Sequence, residues 1–177
     1  MKALKVLFLA AGALILLQGF TFAQKPNDPL KVVMSASKIV LSNGSETRQS
    51  AKEVKPGDIV EYSVDYTNES SAALRDVHGV LPIPVGTSYQ TGTASPAKFS
   101  ASTDGKNFST VPLMRHQKSA DGSEKEVPVP PDEYRALRWE IGAIAPKSTV
   151  TVRARVKINT TAPGGGAHHS LKVQPKN

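Results

Sequence analysis

Residues 55–68 read K-P-G-D-I-V-E-Y-S-V-D-Y-T-N, and no other stretch narrows the fold of this chain as far. Pro56-Gly57-Asp58 is turn chemistry, because proline presets one backbone angle and glycine accepts a positive φ. After the turn, Val60, Tyr62, Val64 and Tyr66 alternate with Glu61, Ser63, Asp65 and Thr67. Successive side chains of an extended chain point to opposite faces, so this spacing predicts a strand with one buried and one wet face. Such a strand needs a second apolar layer to cover it, which points to a β-sandwich.

The same period returns over residues 149–158, where Val150, Val152, Ala154, Val156 and Ile158 alternate with Thr149, Thr151, Arg153, Arg155 and Lys157. Residues 134–141 form a third strand candidate, with Leu137, Trp139 and Ile141 inward and Arg138 and Glu140 outward. Weaker signals fill the intervals. Residues 30–41 are apolar with mixed periodicity, the pattern of a strand that bends or changes sheets near Ser35-Ala36-Ser37. Ser42-Asn43-Gly44-Ser45 is a turn cluster, and residues 46–55 are polar enough for a weak edge. Residues 77–81 make a short strand closed by Pro82-Ile83-Pro84, since proline cannot donate to a ladder. Residues 87–91 are short and extended. Asp104-Gly105 between residues 98–102 and 107–111 predicts a hairpin. Residues 114–132 are polar and end in Pro128, Pro130 and Pro131, which reads as an exposed loop without regular structure. With about seven to eight strands and no helix, the expected fold is an all-β, immunoglobulin-like antiparallel β-sandwich over residues 30–158.

The ends read differently. Lys2 and Lys5 precede the uncharged apolar run of residues 6–17, and Thr21-Phe22-Ala23 resembles a small-residue cleavage site, so residues 1–23 read as a secretory signal peptide. Residues 24–29 are a polar lead-in, and residues 159–177, with Gly164-Gly165-Gly166, read as a flexible tail. The expected location is therefore exported, periplasmic or secreted, with no membrane span once the signal is removed. The chain contains no cysteine, which excludes both a lipid-attachment thiol and disulfides. Stability must then come from a packed core, and the roughly 150 residues after the signal suffice for one.

Pro56-Gly57-Asp58, the alternating Val60, Tyr62, Val64 and Tyr66, and Thr67-Asn68 together resemble the opening of domain-of-unknown-function family eleven. This is the conserved repeat domain of bacterial and archaeal surface proteins. Leu81-Pro82 with Gly86 is similar to the middle of that module, and Leu137-Arg138-Trp139, Ala145-Pro146 and the last alternating run to its end. The resemblance covers roughly residues 30–158. It implies an immunoglobulin-like sandwich in an envelope or surface protein, here as a single module without a sorting signal, and says little about what is bound.

Catalytic chemistry finds little support in the residues. There is no cysteine nucleophile and no Gly-x-Ser-x-Gly, and the four histidines are His78, His116, His168 and His169. Adjacent His168-His169 on an extended tail point opposite ways, without ligand-type neighbours at metal spacing. Asp104-Gly105 and Asp121-Gly122 lack the calcium-loop pattern, and Asp58 reads as a turn residue bonding local amides. Trp139 and Tyr62 fall on inward positions and read as core. No cofactor or metal is expected. The net charge of +7 directs attention to the outward side of the last strand, where Arg153, Arg155 and Lys157 lie together. If the last two strands pair, Arg135 and Arg138 join them, giving a face for an anionic glycan or lipid headgroup. The plainer reading is a solvated face that discourages edge association. Few aromatics, scattered basic residues and export argue against nucleic acid. The expected function is a non-catalytic envelope module that binds another protein or acts structurally, the anionic-ligand domain being the alternative. A partner that adds a strand to the sheet is a third possibility.

Overall fold

The computed structural model describes residues 28–119 and 122–160. The expected signal peptide, most of the lead-in and nearly all of the tail lie outside the described residues. Eleven strands follow in order: β1 Leu30–Ser42, β2 Ser45–Ser50, β3 Ile59–Asn68, β4 Leu74–Pro82, β5 Thr87–Tyr89, β6 Ser100–Ser102, β7 Ser109–Thr110, β8 Met114–Lys118, β9 Glu124–Pro128, β10 Ala136–Ile144 and β11 Thr149–Ile158. One 3-10 turn, Pro131–Glu133, precedes β10. A five-stranded sheet ordered β2-β1-β3-β11-β5 and a four-stranded sheet ordered β4-β10-β6-β7 form the sandwich, and β8-β9 is a separate ribbon. Every named pairing is antiparallel.

The alternation in β3 and β11 places these strands at the middle of the larger sheet. Val60, Val64, Val152, Ala154 and Val156 are almost wholly buried, and they meet Leu81, Leu137, Trp139 and Ile144 from the other layer. β1 does not bend into another sheet as its sequence suggests. It pairs with β3 from Leu30 to Ile39 and with β2 from Ser37 to Ser42, all within one sheet. Its mixed periodicity has a local cause: Val33, Ile39 and Leu41 are apolar residues on the outer face.

Two motif residues fasten the ends of β3, Asp58 within its own sheet and Asn68 across to the other layer. Asp58 accepts hydrogen bonds from the Lys55 backbone N–H at 2.7 Å and from Lys38 Nζ at 2.6 Å, so the Pro-Gly-Asp turn is tied to β1. Gly57 in this turn has φ 90°, which disfavours any side chain. Asn68 is fully buried, and its Nδ2 donates to the carbonyls of Ala72, Ile144 and Ala145 while its Oδ1 accepts from the backbone N–H and Oγ of Ser70. One amide thus closes the β3–β4 corner onto the end of β10. Tyr66 reaches across the sandwich, and its hydroxyl both accepts from Val80 N–H at 2.8 Å and donates to Val80 C=O at 3.0 Å. Its ring rests on Gly79, where an added Cβ would stand 3.0 Å from both Tyr66 Cε2 and Ile141 Cδ1.

The polar stretch after Leu113 is not a structureless loop. Met114 to Lys118 pairs with Glu124 to Pro128 residue for residue, and Val129 N–H extends the ladder to Leu113 C=O at 2.8 Å. Because the ribbon packs on no sheet face, its strands lack the apolar alternation that marks the others.

Candidate functional site

The basic residues do not form one face. β10 and β11 belong to different sheets, because the turn at Pro146-Lys147 carries the chain from one layer to the other. Arg138 therefore lies apart from the β11 residues, with its guanidinium carbon 4.5 Å from the Phe108 ring centroid. Arg135 lies before β10 and donates through Nη1 to the carbonyls of Asp132 and Tyr134. Arg153, Arg155 and Lys157 do share the outer face of the larger sheet, opposite Ser63, Glu61 and Ile59 in the register.

That register also neutralises the middle of the stripe. Arg155 donates from Nη1 and Nη2 to the two Glu46 oxygens at 2.8 and 2.7 Å, and from Nε to Glu61 at 3.2 Å. Arg48 of β2 holds the other Glu61 oxygen at 2.8 Å. Four charges thus alternate across β2, β3 and β11 in the order Arg48, Glu61, Arg155, Glu46. Glu61 is only 8 % exposed. Burial pushes its carboxyl upward, but the hydrogen bonds from Arg48 and Arg155 outweigh this and hold it below its ordinary value. The Arg155 guanidinium likewise lowers Glu46. Arg153 and Lys157 stay exposed and without an ion pair among the described residues. Two separated cations remain where five were expected.

A different feature is concave and apolar. At the edge where β5, the 91–99 loop, the base of the ribbon and the 3-10 turn meet lies an open cleft of about 390 Å³. Its floor is aromatic: Tyr89 stacks on Tyr134 at 6.2 Å and 12°, and Phe99 meets Tyr89 edge-on at 5.8 Å. Phe99 also lies 5.9 Å from Trp139, so the rings run from the cleft into the core. Ala97, Val111, Pro112, Pro128 and Val129 complete most of the wall. Tyr134 Oη is held by the Leu113 N–H at 3.3 Å, and Trp139 Nε1 donates to Pro96 C=O at 2.6 Å, which fixes the loop that carries Ala97. Burial pushes the Tyr89 phenol upward, so it stays neutral. Among the described residues no carboxylate, imidazole or amine lines the wall.

Trp139 and Tyr62 occupy the core, as their inward positions imply. Asp104 accepts from the Ser102 hydroxyl, the Lys106 and Asn107 backbone N–H groups and Asn107 Nδ2, the turn role its sequence suggests, and those local donors lower its carboxyl. His168, His169 and Asp121 lie outside the described residues. The cleft escaped the sequence reading because its walls come from separate segments that supply a few residues each. The recurring proline and aromatic residues over 89–134 are the trace it leaves. Among the described residues no helix is long and apolar enough to cross a membrane. Comparison of the chain with protein-family models and with curated proteins matched none.

Proposed function

We propose that this chain is a non-catalytic, exported envelope module that binds another protein, and that the aromatic cleft takes an apolar side chain of the partner. The observation that carries this reading is the composition of the cleft wall: rings, prolines, small aliphatic groups and the Thr91 hydroxyl, with no carboxylate, imidazole or amine among the described residues. Rigid aromatic pockets of this kind anchor interfaces because they bury large area with little loss of side-chain freedom. The protruding ribbon beside the cleft offers polar contacts for the rim. The resemblance of the Pro-Gly-Asp and Thr-Asn motifs to the conserved repeat domain, and the hydrophobic leader of residues 6–17, support placement in an envelope. The alternative, an anionic glycan or lipid, loses support because Arg155 is committed to two carboxylates and Arg135 and Arg138 lie elsewhere.

The test uses Ala97→Arg, which fills the exposed mouth of the cleft without touching the core. Retention of a specific envelope protein by the native chain, lost in Ala97→Arg and kept in the Arg153→Glu/Lys157→Glu double variant, is the expected result. Retention unchanged by Ala97→Arg refutes the cleft as the site. Retention lost only in the double variant restores the anionic reading.

A further inference from the structure

We infer that the β2 edge pairs with the β2 edge of a second copy of this chain, antiparallel, with Thr47 on the two-fold axis. The sandwich has four sheet edges, and they are not equivalent. β5 and β7 offer three and two residues. β4 is longer, but the Tyr66 hydroxyl already occupies the outward N–H and C=O of Val80. β2 is six residues long, exposed throughout, and makes no backbone hydrogen bond beyond β1 among the described residues.

The hairpin fixes which groups this edge presents. Asn43 and Gly44, with φ 51° and 77°, form the two-residue turn, so Ser42 and Ser45 are the hydrogen-bonded closing pair. Antiparallel pairs alternate, so Thr47 and Gln49 direct their backbone groups to β1, whereas Glu46 and Arg48 direct theirs outward. The same alternation carried through β1, β3 and β11 agrees with bonds seen at the far side, where Arg153 and Arg155 direct their carbonyls to Ser95 and Gln90.

A second strand must therefore meet Glu46 and Arg48 with its own outward groups. Two two-fold registers do this with five residues of each β2 strand paired, centred on Thr47 or on Arg48. Centred on Arg48, the axis sets like charges against each other. Centred on Thr47, it sets Glu46 of each copy opposite Arg48 of the other and Thr47 opposite Thr47, the pairings that stabilise antiparallel sheets. Glu46 and Arg48 are also the two ends of the alternating run described above, so the axis joins two such runs into a closed ring of alternating charge. The contact uses the same patch on both copies, and it closes after two. Exposed ion pairs contribute little, so the dimer is weak and concentration-dependent.

The native chain has no cysteine, so Thr47→Cys supplies one thiol per copy. Directly opposed residues of a non-hydrogen-bonded pair have Cα atoms about 4.5 Å apart, within the disulfide range of roughly 4.4–6.8 Å. The full chain carrying Thr47→Cys, oxidised with copper phenanthroline, is expected to form a disulfide dimer at least about tenfold faster than one carrying Lys106→Cys on the exposed turn, because pairing raises the local thiol concentration. Equal rates overturn the proposal, as does cross-linking of Thr47→Cys to a different polypeptide while the purified chain stays monomeric. Sedimentation over a concentration series gives a second readout. Glu46→Arg and Arg48→Glu should each abolish the dimer, and an equimolar mixture of the two should restore it, since each variant then meets opposite charges. Single variants that associate as the native chain does, or a mixture that stays monomeric, overturn the Thr47-centred register.

Discussion

Asn68 offers the sharpest test of how the two layers are joined. Its amide makes three donations to backbone carbonyls and accepts two hydrogen bonds from Ser70 with no solvent contact. Removing it in Asn68→Ala does not orphan every partner: Ala72 C=O keeps the Ser70 hydroxyl, and Ala145 C=O keeps the Ser148 N–H. The loss falls mainly on the buried Ile144 C=O, with a smaller part on the half-buried Ser70 N–H, and at about 1–2 kcal/mol for the first and up to about 1 kcal/mol for the second the expected destabilisation is about 1–3 kcal/mol. Asn68→Asp has nearly the same shape but turns an anion towards three carbonyl oxygens, which should cost about 3–5 kcal/mol at pH 7. The two variants separate by pH. The introduced carboxyl would have a folded pKa raised above its unfolded value near 3.9. The folded state then holds the proton more tightly, so Asn68→Asp recovers stability as pH falls below its folded pKa and loses it as pH rises. The Asn68→Ala penalty, measured against the native chain at each pH, has no such dependence. Urea unfolding of all three proteins between pH 4 and 8 measures this. An Asn68→Asp penalty below about 1 kcal/mol and flat with pH would refute the sealed corner.

Two further outcomes follow from the packing and the charges. Asp58 and Glu61 both have folded values held below their ordinary ones, Asp58 first by the Lys38 hydrogen bond and Glu61 by its two arginines against burial. Groups depressed on folding stabilise above their unfolded pKa, so the melting temperature should hold from pH 7 to about 5 and fall below about pH 4, less steeply in Glu61→Gln. Gly79→Ala should cost about 1–3 kcal/mol in thermal or urea unfolding, because the Tyr66 ring is pinned by its hydroxyl and cannot yield to the new methyl. A Gly79→Ala protein as stable as the native one would show that the ring is free to move.

The strands at the centre of the sandwich were legible because one face of each is buried and the other wet. That is why β3, β10 and β11 run close to the residues their alternation marks. The Asn43-Gly44 turn and the Asp104-Gly105 hairpin were legible for a different reason, since few residue pairs accept their backbone angles. What stayed hidden depends on register. Alternation puts Arg155 on the outer face, but only the pairing of β3 with β11 and of β1 with β2 shows that Glu61 and Glu46 meet it there. The ribbon of Met114 to Pro128 was hidden because it covers no core, leaving Arg115, His116, Gln117 and Lys118 without an apolar rhythm. The joining of Arg138 to the β11 cations failed because chain neighbours need not be sheet neighbours in a two-layer fold.

The Tyr66 hydroxyl at Val80 has a consequence for behaviour at high protein concentration. It belongs to one layer and stoppers one position on the margin of the other, so that position is shut only while the layers are face to face. Any breathing motion that parts them uncorks a ready template for foreign strands at the same moment that it wets the interior. One phenol thereby couples part of the resistance to clumping to the integrity of the interior, and loosening the interior should weaken both.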